Sequence, residues 1–426
     1  MKRLLKNAGF IITWGIITKL IFLILVVVMA RKLGVEGVGI YSFVFAFIGL
    51  LFAPVGIGGG VAVRELAADT RKAPKYFWNL LMLRAIISLV IMMIVAVIIY
   101  FYPTSIEIKK AVYLCGLLLF FAIFRAPAAT VLYALQNYKP LFLIGLTEDA
   151  VGVGFAVYFL ILGKGIIGII TGFIIGSAVS MILSIVVVWK IVKKANVLAP
   201  DFVLWKRLVG KGSFFLMQKL LQMGMIRTDI IVLSLFGSTF LVGIYGAAAK
   251  VSAATILLPF AITMVMYPQY SVSFANSKRL LKENYYQILL YMIAIAIFVY
   301  AFLILFSGTI VHYVYRCEFS EAVPIIRILA IAVAIHAINM NNSIFLNAIR
   351  KEKLNVCLIG LIFITNAVLD LLWVKPYGMK GVAAATVFCA FAYCIVSTVV
   401  ILKTNKRFAM NQIIPSGFQA DMDEHG

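Results

Sequence analysis

The sequence predicts an all-α integral membrane protein of about twelve transmembrane helices in two six-helix lobes. Three observations carry that prediction. The 426-residue chain is 64% hydrophobic and only 13% charged, with a mean hydropathy of +1.08. A soluble chain of this length needs far more polar surface to cover its core. The apolar residues also come in runs of about 20, the length that spans a bilayer core as a helix and about twice that of an outer-membrane strand. Finally, the chain echoes itself. Val38-Gly39-Ile40-Tyr41 recurs as Val242-Gly243-Ile244-Tyr245 at an offset of 204, Pro54 as Pro259 at 205, and Leu143-Ile144-Gly145-Leu146 as Leu358-Ile359-Gly360-Leu361 at 215. Ordered echoes at nearly constant offset are the mark of an internal repeat.

Apolar runs lie at 7–30, 38–63, 80–102, 110–135, 140–163, 165–190, 212–236, 241–267, 285–307, 320–346, 352–375 and 378–402. The first is too long for a signal-peptide core and is read as a retained span. The repeat divides the chain into an N-terminal lobe at 1–192, a cytoplasmic linker at 193–211, a C-terminal lobe at 212–403 and a cytoplasmic tail at 404–426. The linker holds Lys193-Lys194, Pro200-Asp201 and Trp205-Lys206-Arg207, the make-up of a short amphipathic piece on the inner membrane surface. The tail ends in a polar, acidic stretch that predicts disorder.

The net charge of +22 is mostly topology. With the N-terminus inside, 23 of the 38 Lys and Arg fall in inner loops and 8 in outer ones. That is the positive-inside bias, so both termini are expected in the cytoplasm and no nucleic-acid partner is implied. The five cysteines lack metal spacing and the three histidines are scattered, so neither a metal nor a cofactor is expected. The second run carries Pro54 with Gly56, Gly58, Gly59 and Gly60. Proline removes a backbone hydrogen bond and glycine does not stiffen a helix, so a hinge is expected at Pro54 and, by the repeat, at Pro259.

The remaining seven bases lie within runs (Lys19, Arg84, Arg125, Lys219, Arg227, Lys250, Arg327), with four acids (Glu148, Asp149, Asp229, Asp370). Each costs roughly 2.5–3.5 kcal/mol near the bilayer centre if unpaired. Depth along the helices, at about 1.5 Å per residue, matches Arg125 with Glu148 or Asp149, Asp229 with Lys250, and Arg327 with Asp370. Arg84 and Lys219 lie close enough to an inner end to snorkel. Lys19 and Arg227 have no depth-matched acid. Arg227 and Asp229 are about 200° apart around their helix, so they face different neighbours. The stripe His336, Asn339, Ser343 and Asn347 reads either as a functional polar face or as interhelical hydrogen bonding. An excess of buried positive charge suits a cavity for an anionic substrate.

Several of these stretches resemble one family. Ala30-Arg31-Lys32-Leu33-Gly34-x-Glu36-Gly37-x-Gly39-Ile40-Tyr41 looks like the signature ending the first span of polysaccharide transporters. These are the O-antigen and oligosaccharide flippases of the multidrug/oligosaccharidyl-lipid/polysaccharide (MOP) superfamily. Val63-Arg64-Glu65-Leu66-Ala67, Asp229 with Val242-Gly243-Ile244-Tyr245, and Tyr377-Gly378-Met379-Lys380-Gly381-Val382 resemble the family in the same way. The resemblance covers nearly the whole chain and implies a MATE-like (MOP) fold and a multi-pass protein of the cytoplasmic membrane. It implies a flippase, not an enzyme, that moves polyprenyl-diphosphate-linked oligosaccharide by alternating access of two lobes around a cationic cavity. Membrane lipid and other polysaccharide-assembly proteins are the further partners implied. Lys19, Arg64, Arg227 and Lys250 lie on the cavity-lining spans of relatives and are the candidates for gripping the diphosphate. Asp229, Glu148, Asp149 and Arg125 are candidates for coupling or structural roles. Lipid II flippases carry two additional spans that this chain lacks, which argues against a peptidoglycan substrate.

Two other classes compete. A cation-coupled multidrug exporter of the same fold should prefer acidic and aromatic cavity residues over this excess of bases. A polymerase or integral glycosyltransferase would need a sizeable outer loop or an acidic catalytic pair, and the loop around Ser307–Ser320 offers only Glu318 and, just beyond it, Glu321.

Overall fold

The computed structural model describes residues 2–102, 105–192 and 199–413, and no strand occurs among them. Lys193-Lys194 of the linker and residues 414–426 of the tail lie outside the described residues.

Twelve α-helices follow in order: α1 Lys2–Leu51, α2 Gly59–Ala68, α3 Ala73–Phe101, α4 Ile106–Ala134, α5 Tyr138–Ile161, α6 Gly165–Val192, α7 Phe202–Phe236, α8 Thr239–Ala254, α9 Leu257–Asn276, α10 Lys278–Ile310, α11 Ala322–Ala348 and α12 Glu352–Ile413. Among the described residues, nine stretches are long and apolar enough to cross a membrane. They correspond to the twelve runs of the sequence in a simple way. Gly15–Leu66 and Glu352–Asn405 each hold two runs. The run at 212–236 is diluted by Lys219, Arg227 and Asp229 and is not among the nine.

The breaks inside the two long stretches have a backbone cause. α1 leaves helical geometry at Gly34 (φ 63°) and α12 at Gly378 (φ 57°), just after Pro376. Only glycine takes that left-handed conformation without a Cβ penalty. Both sit in the charged, Gly-containing breaks that separated the runs in the sequence.

The backbone also departs from the α-helix near both prolines. After α1, Ala53–Gly56 forms a 3₁₀ turn with Pro54 in its first turn, and Gly58 is left-handed (φ 73°) before α2 begins. α8 ends at Ala254, and Pro259 lies in the first turn of α9. There its missing N–H has no helical partner to forfeit.

By packing, the described residues fall into two compact units: those up to Ala247 with Ile310–Ser320, and those from Ala248 to Thr309 with Glu321 onward. α7 and the first half of α8 thus pack with the first unit, whereas the sequence division at 193–211 follows the repeat.

Within the first unit, the two echoed motifs meet each other. A Cβ on Gly39 would lie 1.9 Å from the Thr239 carbonyl oxygen, and one on Gly243 would lie 2.1 Å from the Val35 carbonyl oxygen. Backbone touches backbone there, which any side chain would prevent. α7 begins at Asp201, whose carboxylate caps the Leu204 N–H at 2.8 Å and pairs with Lys75 at 2.6 Å. Leu204 and Leu208 are buried in a cluster with Ile57, Val61 and Leu80. Asn79 accepts from the Trp205 indole, and Arg207 bridges Glu65 and Tyr76. The second part of the predicted linker is therefore the first turns of a long helix docked on α2 and α3. The predicted tail likewise begins as helix, since α12 continues to Ile413.

In the second unit, Asn339, Ser343 and Asn347 of the polar stripe on α11 make interhelical hydrogen bonds. Asn339 donates to the Ala390 carbonyl, while Ser343 and Asn347 both accept from Asn355. Tyr270, Tyr285, Ser397 and Thr398 complete the network through Asn341 and Asn342.

Candidate functional site

A cavity of about 330 Å³ opens within the first unit, lined by Phe22, Tyr41, Phe45 and Phe52 of the first two runs, Phe121 and Arg125 of α4, Glu148 and Asp149 of α5, and Phe173 and Ser177 of α6. Its position follows from the packing of α5 on α6. Gly168, Gly172 and Gly176 recur every fourth residue and form one small-residue stripe. A Cβ on Gly172 would lie 2.3 Å from the Ala156 nitrogen, and one on Gly176 would lie 2.6 Å from the Glu148 carbonyl oxygen. This close approach brings Ser177 and Ser180 to the Glu148 carboxylate.

The polar end of the cavity is a satisfied network. Arg125 Nε lies 2.8 Å from Glu148 Oε2. Ser177 and Ser180 donate to the same carboxylate at 3.2 and 3.1 Å, and Thr18 donates to Asp149 at 2.5 Å. The depth-matched partner of Arg125 is thus Glu148. The rest of the wall is aromatic. Phe22 stacks on Phe173, Phe45 meets Phe173 edge-on, and Tyr41 stacks on Phe45. An aromatic chamber closed by an internally compensated ion pair can hold an apolar or saccharide face, which stacks on rings. One base and two carboxylates line it, so it offers no surplus of positive charge.

Arg227 braces this wall from behind. Its guanidinium donates to the Phe45 carbonyl, and it packs so closely on α1 that a Cβ on Gly49 would lie 2.3 Å from its Cζ. Asp229, two residues on, is buried and accepts from the Tyr245 hydroxyl of α8. Arg227 and Asp229 therefore serve different neighbours, as their angular separation requires. Arg227, which the sequence left without a partner, has a carbonyl rather than an acid. Lys19 is exposed on α1 and makes no hydrogen bond or ion pair among the described residues, and Arg64 is exposed on α2. Lys250, on α8, belongs to the second unit, where Arg327 donates to Ser307 at 3.4 Å.

One expectation is overturned. Arg84 does not snorkel: it is 2% exposed, and its nearest polar contact is Thr130 at 3.5 Å. Its helix turns it inward toward the start of α2, a rotation that depth along the helix does not specify. Sequence reading also missed Thr18, Ser177 and Ser180, and it named Tyr245 only within the repeated motif. The Gly168–Gly172–Gly176 spacing was the available signal for the two serines.

These features set the chain beside known proteins. A family model described as polysaccharide biosynthesis protein matches residues 28–324. The chain belongs to that family. No curated protein matches it by sequence. Among solved structures, it resembles an inward-facing multidrug resistance MATE family transporter of the MOP superfamily, with 15% identity and a TM-score of 0.78 over 92% of this chain and 96% of that one. The lipid II flippase MurJ in an inward closed conformation matches with 16% identity and a TM-score of 0.74 over 94% and 91% of the two chains. A MOP superfamily transporter from Pyrococcus furiosus, whose binding pocket is described as of reverse polarity, matches with 14% identity and a TM-score of 0.69 over 96% of each. At such identities the likeness is one of fold, and the fold is the all-helical membrane fold of the MOP superfamily.

Proposed function

We propose that this protein is a flippase moving polyprenyl-diphosphate-linked oligosaccharide across the cytoplasmic membrane, with both termini in the cytoplasm. Membership of the polysaccharide biosynthesis family is the observation that carries the reading. The charge inventory supports it. Bases outnumber acids within the spans, and Arg125, Arg227 and Arg84 differ sharply in how they are held. Arg125 is compensated by Glu148, Arg227 only by a carbonyl, and Arg84 by a long contact to a hydroxyl. An anionic headgroup suits such a surplus, and the stacked aromatic wall suits sugar rings.

In this reading residues 1–192 and 212–403 form two repeats that alternate access to a central cationic cavity, with Lys19, Arg64, Arg227 and Lys250 meeting the diphosphate. Pro54 and Pro259 supply the bends, and Asp229 is a candidate for ion coupling. A diphosphate diester carries about two negative charges, so outward movement in an inside-negative membrane gains roughly 4–5 kcal/mol per 100 mV. Potential alone can then bias direction. Translocation makes and breaks no covalent bond, so no catalytic residue or cofactor is assigned.

The aromatic cavity with Glu148 and Asp149 favours a second reading, a cation-coupled multidrug exporter, for which that chamber would be the drug site. The two are separated in cells that lack their own polysaccharide flippase. Expression of this protein should restore surface glycan and clear lipid-linked saccharide from the inner leaflet without raising tolerance to cationic drugs. Drug tolerance with no change in the lipid-linked pool would favour the exporter.

A further inference from the structure

The start of α2 gathers positive charge, and among the described residues neither Arg84 nor Lys219 beside it forms an ion pair. Helix N-termini present free N–H groups and a partial positive charge. α2 begins after left-handed Gly58, with no side-chain cap and no acid in its first turn. Into this end points Arg84, whose Nη2 would lie 2.9 Å from a Cβ on Gly59. Arg84 is 2% exposed, and its Nε and Nη1 meet no acceptor among the described residues. Lys219 of α7 approaches from the other side. Its ammonium would lie 3.4 Å from a Cβ on Gly56, within electrostatic range of Arg84. A guanidinium beside the positive end of a helix, with an ammonium close by, is repulsive unless an anion lies among them. Gly56, Gly60 and Lys219 are exposed, so the place is open on one side and floored by Arg84. Gly58 is covered by Leu208 and Gly212 of α7, so the open approach to the helix N–H groups is at Gly60, which has no side chain to obstruct it.

We propose that the N-terminus of α2, the Arg84 guanidinium and the Lys219 ammonium form a binding site for a phosphate-type oxyanion. Phosphate presents several acceptor oxygens at once, and the arginine fork, the ammonium and the helix N–H groups are donors only. The anion is either a free phosphate or diphosphate, or the phosphate of a lipid headgroup. The flippase reading bears on that source alone, since the site stands on the geometry.

The test is calorimetric titration of inorganic diphosphate into the full-length protein in lipid nanodiscs. It is run on the wild type, Lys219→Gln and Arg84→Lys, with and without polyprenyl phosphate in the disc. Lys219 is exposed, so its substitution leaves folding intact, and Arg84→Lys keeps the buried charge while losing the fork. Each variant should bind about tenfold more weakly, the loss of one charge-assisted contact. Displacement of diphosphate by polyprenyl phosphate identifies a lipid headgroup site. Undisplaced binding that still weakens in the variants identifies a soluble-anion site. Equal affinity in all three proteins, or no binding of either probe, overturns the proposal. A wild type that binds through these residues but flips no lipid-linked saccharide keeps the site and removes the flippase reading. One that flips without binding does the reverse.

Discussion

Arg125→Ala should destabilise the first unit, and Glu148→Gln should restore much of the loss. In the structure Glu148 is held by Arg125 at 2.8 Å and by two serine hydroxyls at 3.2 and 3.1 Å. Removing the cation leaves a carboxylate with 19% of its side chain exposed and only hydroxyl donors. Breaking a fully buried pair costs about 3–5 kcal/mol, whereas an exposed pair contributes about 0–1. Arg125 is 37% exposed at the cavity, which places this pair between the limits, at about 1–3 kcal/mol. With glutamine at 148, the amide oxygen still accepts from the serines and no charge is stranded. The assay is thermal unfolding of detergent-solubilised protein, with the two single variants and the double variant forming a cycle. An unchanged midpoint in Arg125→Ala, or a second substitution that deepens the loss, would refute this reasoning. So would a stable Arg125→Ala protein that has lost transport, since that moves Arg125 from the scaffold to the substrate path.

Other outcomes follow from single contacts. Arg227→Lys should keep part of the transport activity and Arg227→Ala very little, because lysine keeps the charge but not the fork. Gly49→Ala should resemble Arg227→Ala, since its Cβ occupies the place of the guanidinium; normal transport by well-folded Gly49→Ala would contradict this. Gly176→Ala puts a methyl against the backbone of α5 and should cost about 1–3 kcal/mol, read as a lower unfolding midpoint. Lys75 and the Leu204 N–H hold the Asp201 carboxyl below its ordinary value. Its contribution is therefore complete above the unfolded pKa of about 3.9 and fades as pH falls through the lower folded value. Hydrogen exchange at the first turn of α7, corrected for intrinsic rate, should accelerate below about pH 4 in the wild type and change less in Asp201→Asn. Parallel profiles would count against the cap.

Much of the fold was legible because it rests on run length and on glycine. Gly34 and Gly378 break their helices where charged, Gly-containing segments separate apolar runs, and only a left-handed residue was needed to make those breaks. The echoed Val-Gly-Ile-Tyr motifs were visible as repeats. That they pack glycine to backbone on each other was not, because a repeat fixes resemblance and not contact. Depth along the helices found the Arg125–Glu148 pair and left Glu148 and Asp149 as equals. It misplaced Arg84, whose helix is apolar nearly all round, so periodicity gives no rotation. The hydroxyls of Thr18, Ser177 and Ser180 were invisible for a related reason. Such residues are common in membrane helices, and their partners are set by which helices touch.

The central claim is tested most directly in sealed proteoliposomes containing the purified protein and a fluorescent polyprenyl-diphosphate oligosaccharide, with an imposed membrane potential. The account predicts movement of the labelled lipid to the positive side. The rate should rise with potential and fall strongly in Arg227→Ala, while a cationic dye is left where it was. Equal label on both sides regardless of potential, or transport of the dye instead, would contradict it.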